Sequence, residues 1–374
     1  MGMVHFAILT MALVSVVLSM IAVSRDAPFN WQFTIPASFA AHGDPQFEMV
    51  FDYDAQLGQA HSPSIVLNDD GFSILWFEGS EEAQADVDIF HSRFRLMSGK
   101  WMSGVPERLV TRGGLGPAME PSQLVVTLGN TIENEGMPGH LYSTVVSVGG
   151  WAMASIADVE MGSNGHTYAR KLNLSPLLNR SHLVKSPMIA YEDGSYALPA
   201  YFEMGAMHGA FVRLNARGRV RDVRRMVGKD VQPIQPMVVP LDASRAVAFL
   251  RNFDTTRQKL LISHTEDGGQ NWSEVVETEI ENPSSPVAAL PLGDGRILMA
   301  VNDNAERADV LHLSLSADGG ESWRVLHSFE GGEGALRYPM LRRLNSGEIV
   351  LSYSHSTKGG VRAHVMNDAW IEAR

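Results

Sequence analysis

Cysteine is absent from the 374 residues, which removes disulfides, thiolate metal sites and cysteine nucleophiles from the candidate chemistry. Positive charge is in deficit too: 30 lysines and arginines face 42 aspartates and glutamates, a formal charge of −12. Nonspecific nucleic-acid binding needs a cationic surface, so that class is excluded, whereas a small cationic pocket is not. Beyond the N-terminus there is almost no sustained helical period. The 13 histidines include no H-x-H or H-E-x-x-H spacing, so no catalytic metal is expected. A glycine-rich phosphate loop between strand and helix is missing, as is a G-x-S-x-G elbow. Nucleotide binding and serine hydrolysis therefore lack support, and no cofactor is expected.

What is present is globular: 45% hydrophobic and 19% charged residues, with mean hydropathy near zero, supply a large core. From Val4 to Val23 runs an apolar stretch with no formal charge before Arg25, and about 20 such residues span a hydrocarbon core. A secretory signal has a shorter apolar region and a basic start; here the start is not basic, and Ala22-Val23-Ser24 is a weak cleavage site. Residues 1–25 are read as an uncleaved anchor or a cleaved signal peptide. Either exports the rest of the chain to a periplasmic or extracellular space. Residues 26–50, with Pro28, Pro36 and Pro45, read as a linker, and 51–374 as one domain.

Within that domain a unit recurs: a proline, a short apolar strand, a Gly- or Asp-bearing turn and a second apolar strand. It begins near Pro63, Pro187, Pro236, Pro286 and Pro339, with a weaker copy at Pro121, in steps of roughly 50 to 65 residues. That period suits a four-stranded propeller blade, and six copies predict an all-β, six-bladed β-propeller; the long stretch from 121 to 187 leaves room for a seventh. A second motif, S/T-x-D-x-G-x-x-W, occurs at Thr265–Trp272 and Ser316–Trp323, with a degenerate copy ending at Trp101. Its hydroxyl and carboxylate suit the N–H groups of a tight turn, and its Trp suits burial between strands, so these aspartates are read as structural.

The two boxes and the units around them resemble the sialidase-like BNR-repeat family over roughly residues 55–370. The phrases carrying the resemblance are Phe77–Glu82 with Asp86–Ile89, Ile234-Gln235-Pro236, Asn282–Ser285, Asn302 with Arg307, and Arg337-Tyr338-Pro339. It implies exo-sialidase chemistry: three arginines on the substrate carboxylate, a tyrosine nucleophile activated by a glutamate, and an aspartate acid/base. Tyr338 falls at the nucleophile, Arg251 and Arg307 at the second and third arginines, and Asp86 near the acid/base, where Glu82 and Asp88 compete. Two positions depart from the pattern. His61 stands for the first arginine, and Gln235 for the activating glutamate, where an amide cannot take a phenol proton.

Propeller geometry should gather residues flanking each unit's proline, and those after its first strand pair, on one face. Beside those already named, this brings in Lys185, Asn282, Tyr201, Glu203 and Asn302. Each has a structural alternative: a core tyrosine, ion pairs between blades, a turn-capping aspartate, a satisfied histidine. The basic run Arg213–Arg225 is an anionic-glycan rim or the solvated face of an outer strand. The expected partner is an acidic glycan, cleaved at a terminal sialic acid or related sugar. The alternatives are a polysaccharide lyase using His61 or Tyr338 as base, and a non-catalytic glycan-binding propeller, which Gln235 favours.

Overall fold

The computed structural model describes every residue except 1, 26–28, 36, 39–40, 163–166, 176–178, 333 and 357–358, and leaves aside the side chains of 22–25. Pro28 and Pro36 of the expected linker lie outside the described residues. Met3–Arg25 forms one helix. Its segment Met3–Ile21 has mean hydropathy 2.3 and no cover from the rest of the chain, long and apolar enough for a signal or an anchor.

The apolar units become strands covered on both faces. Ala246–Asn252 is buried almost end to end because neighbouring blades pack on either side, whereas the outer strand Val276–Glu281 alternates with solvent. Six antiparallel sheets of this kind make six blades. Their first strands are Gln59–Asn68, Thr127–Glu133, the split pair His182–Val184 and Ile189–Ala190, Pro233–Pro240, Ala288–Gly293 and Leu336–Arg343. The second blade thus begins at Thr127 rather than at the weak copy near Pro121, which follows the helix Arg112–Ala118 in a connecting loop. No seventh sheet occurs among the described residues. The sixth blade takes its outermost strand, Phe47–Tyr53, from the N-terminal side, antiparallel to Gly360–Met366.

Each blade runs its first strand from an upper to a lower face and its second strand back. The upper face collects the starts of first strands and the ends of second strands. The lower face collects the turns between them and the two Asp boxes. In the boxes, Thr265 Oγ1 accepts from Gly269 N at 3.0 Å and Asp267 Oδ1 from Asn271 N at 2.9 Å. Ser316 and Asp318 repeat the pattern on Gly320 N and Ser322 N. Trp272 and Trp323 then lean edge-on against Phe211 and Phe249 of the preceding blade, locking blade to blade.

Residues 29–35, 37 and 38 lie as a strap along the lower face. Phe33 N donates to Ala243 O, Thr34 N to Ala190 O, and Asn30 N to Asp193 Oδ2. Phe29, Trp31 and Tyr191 close around Arg213, whose guanidinium carbon lies 4.4, 4.8 and 3.3 Å from their ring centres. Arg213 is fully buried, and each desolvated cation–π contact contributes about 2 kcal/mol. The basic run therefore divides: Arg213 is an interior clamp, while Arg224 sits on the outer strand Val220–Met226 and pairs with Asp222.

Candidate active site

The site grows from a repeated distortion. The ladder between first and second strands slips between His61 and Ser64, between Ile234 and Met237, and between Arg337 and Met340. The prolines there have no N–H for the ladder. The residues before them, Ser62, Gln235 and Tyr338, take φ of 53°, 51° and 54°. Left-handed backbone on non-glycine residues is costly and clusters where a side chain is re-aimed for function.

The distortions bring one polar set together on the upper face. Arg251, from the end of its second strand, donates from Nη1 to Gln235 Oε1 at 3.3 Å and to the Tyr338 hydroxyl at 3.5 Å. Its Nε donates to Ser284 Oγ at 3.0 Å, and Arg337 Nη1 reaches the Ser284 carbonyl at 3.5 Å. Two guanidinium groups therefore bracket one buried serine. Neither makes an ion pair among the described residues, and burial together with the charge of Arg251 lowers the pKa of Arg337. His61 packs edge-on against Tyr338, ring centres 4.5 Å apart. The Tyr201 hydroxyl accepts from Gln235 Nε2 at 3.3 Å, and burial drives its pKa well up, with Glu203 adding to the effect. Glu82 and Glu203 stand at the mouth. Partial desolvation by the surrounding protein raises both pKa values against the pull of Arg251, and Glu82 adds to the rise at Glu203.

Of the residues expected from the sequence, His61, Tyr338, Arg251 and Gln235 form a chain of contacts, and Arg251 pulls electrostatically on Glu82 and Glu203. Lys185 lies beneath them, fully enclosed where the first strand of blade 3 is broken. It donates to the carbonyls of Val287 and Pro339 across the axis, and burial lowers its pKa to about 7. Five residues are not brought to the cluster. Arg307 forms a two-point pair with Asp309 on the exposed surface. Asp86 is exposed and accepts from Ser80 N and Oγ, holding its own loop. Asn282 donates to Asn302 O and accepts from Ser285 N, and Asn302 donates to three carbonyls, so both pin backbone. Asp88 holds Arg112 N and Arg108. Sequence reasoning missed Arg337 and Ser284. The available signal was positional: Arg337 stands two residues before its proline, as His61 does.

His61 carries a pH prediction. Burial, then Arg337 and Arg251, lower its pKa from 6.5 to about 4. The unfolded chain takes up a proton near 6.5 and the folded chain does not, so stability present above 6.5 drains away as pH falls toward 4. His61→Gln should flatten the acid side of stability by up to one proton, about 1.4 kcal/mol per pH unit. Urea unfolding across that window reads the slope; an unchanged slope contradicts the assignment. His182 and His364, lowered likewise to about 4, persist as a common background.

A polar cluster near the propeller axis, with a tyrosine and two arginines that make no ion pair among the described residues, sits on six blades, two of them stapled by Asp boxes, in the manner of a sialidase-like propeller. The chain belongs to the BNR repeat-like domain family, which matches residues 70–361. No curated protein matches it. Among solved structures it is similar to the Hadza microbial sialidase Hz136, with TM-score 0.62 and 15% identity over 83% of this chain and 66% of that one. It is similar to Trypanosoma rangeli sialidase in complex with the inhibitor DANA, with TM-score 0.60 and 13% identity over 86% of this chain and 57% of that one. A Dyadobacter fermentans protein of unknown function gives TM-score 0.58 and 14% identity over 86% of this chain and 99% of that one. The chain thus spans two thirds or less of the length of these sialidases. At such identities the likeness is one of fold.

Proposed function

We propose that this propeller is exported, held at a membrane by Met3–Ile21 as an uncleaved anchor, and acts as a glycosidase on a terminal sugar bearing a carboxylate, in the manner of sialidases. The observation that carries the reading is the pair Arg251 and Arg337 around Ser284 with no carboxylate partner among the described residues. Neighbouring like charges without a direct ion-pair partner favour a ligand that supplies an anion, and guanidinium groups grip a carboxylate in a planar fork. Tyr338 attacks the anomeric carbon, its phenol repelling an anionic sugar less than a carboxylate nucleophile does. Glu82, on the loop that also carries Asp86, protonates the leaving oxygen; its raised pKa suits an acid. Gln235 offers no base, so the phenol proton passes to water, which makes turnover slow; a second water, deprotonated by the Glu82 carboxylate left after the first step, then releases the sugar from Tyr338.

Gln235 also favours a second reading, a glycan-binding propeller without turnover. Release of 4-methylumbelliferone from its sialic-acid conjugate separates the two. Failure of both turnover and sialic-acid binding, for a protein still folded, rules out both for this sugar.

Arg337→Met is expected to weaken sialic-acid binding about 10- to 100-fold, the worth of one charge-assisted contact. The same change leaves unfolding stability equal or higher, because it removes a crowded cation. Calorimetric titration with the acid and with its methyl ester checks this: the ester should bind equally weakly to both proteins. Unchanged affinity for the acid places Arg337 outside the carboxylate clamp.

A further inference from the structure

We infer that the strap fixes which way the site looks: the propeller stands with its lower face toward the bilayer, and its substrate mouth opens away from lipid into the aqueous phase. This rests on the anchor reading of Met3–Ile21.

The argument is topological. Gln235 and Tyr338 sit at the upper starts of their first strands and Arg251 at the upper end of its second strand. The strap binds only the opposite ends. Glu192 N donates to Gln32 O in the turn of blade 3, Phe33 N to Ala243 O in the turn of blade 4, and Ser38 lies against Gly293 in the turn of blade 5. A Cβ on Gly268, in the Asp box of blade 4, would collide with the Trp31 carbonyl, so the box and the strap are fitted to each other. The chain then reaches blade 6, where Asn367 N donates to Gln46 O, and enters the closing strand.

The strap thus lies against the lower face from blade 3 to blade 5, and its first described residue, Phe29, is already held by Arg213. From Arg25 at the end of the helix to Phe29 are four backbone steps, which reach at most about 14 Å. A blade strand such as His208–Leu214 separates the two faces by about 20 Å. So short a tether, bound to the lower face, keeps that face next to the membrane surface and the mouth at least a strand length farther out. The partner surface is a lipid bilayer, and the substrate that fits this orientation is a glycan presented from the aqueous side, on another surface or in solution.

The lack of cysteine makes the test clean. In the full-length chain, Ala206→Cys and Ala216→Cys place single thiols at exposed turns just beyond opposite ends of the strand His208–Leu214. Each variant is labelled with an environment-insensitive fluorophore and reconstituted into phosphatidylcholine vesicles carrying nitroxide-labelled headgroups. The label at position 216 should lose most of its emission and that at position 206 should lose little. Equal quenching, or stronger quenching at position 206, overturns the orientation while the anchor stands. A chain that does not float with the vesicles overturns the anchor reading itself, and this inference with it.

Discussion

Replacing Tyr338 by Phe is expected to lower kcat on a sialic-acid conjugate by about 10³-fold or more, with little change in KM. Phe keeps the ring that packs 4.5 Å from His61 and meets no new steric demand at the strained backbone of this position. What disappears is the hydroxyl contacted by Arg251. Because Arg251 and Arg337 remain, ground-state binding of the carboxylate survives, and the loss falls on the chemical step. Steady-state kinetics together with a thermal melt read the two quantities separately. A loss below tenfold in a protein of normal stability would remove Tyr338 from the role of nucleophile.

The second large effect is a gain. Gln235→Glu should raise kcat by about 10²-fold, the lower end of what a positioned general base contributes. The side chain is 2% exposed, so an unpaired carboxylate there would be untenable. Here the amide oxygen already sits 3.3 Å from Arg251 Nη1, the same nitrogen that contacts the Tyr338 hydroxyl. A carboxylate of the same shape arrives paired, next to the phenol whose proton it must accept. It also offsets part of the positive field, so affinity for the acidic sugar should fall modestly. If the variant is no faster than the wild-type protein, the missing base is not what limits the site, and the glycan-binding reading gains.

The fold was legible because its signals are local. A proline that ends ladder pairing, a short apolar run and a turn residue recur in each unit, and the two Asp boxes specify their own hairpins. The outermost strand of blade 6 escaped because Phe47–Tyr53 carries no such unit, and its partner Gly360–Met366 is almost the whole chain away. The strap escaped for the same reason, as Trp31 and Phe33 gain meaning only against Arg213 and Tyr191. In the site, spacing from each proline found His61, Gln235 and Tyr338, since all three ride on the same kind of bulge. It took His61 two residues before its proline but at the last unit only Tyr338, one before, and so passed over Arg337 at the position equivalent to His61, because a bulge aims two neighbours where a regular strand aims one. Arg307 was expected from its place along the chain. Asp309, two residues on, engages both ends of its guanidinium, a competition that position along the chain does not reveal.

The pairing of Phe47–Tyr53 with Gly360–Met366 makes the ring a structure that closes on itself only once. The strand made first must wait for the strand made last. Until then blade 6 has a bare edge, and its neighbours lack one wall of their core. Ring closure therefore carries the longest loop in the molecule and joins the slowest, most cooperative part of folding to the stretch just behind the apolar helix. A nascent chain of this design is expected to stay open until nearly its whole length has emerged, and to close its ring in the final step.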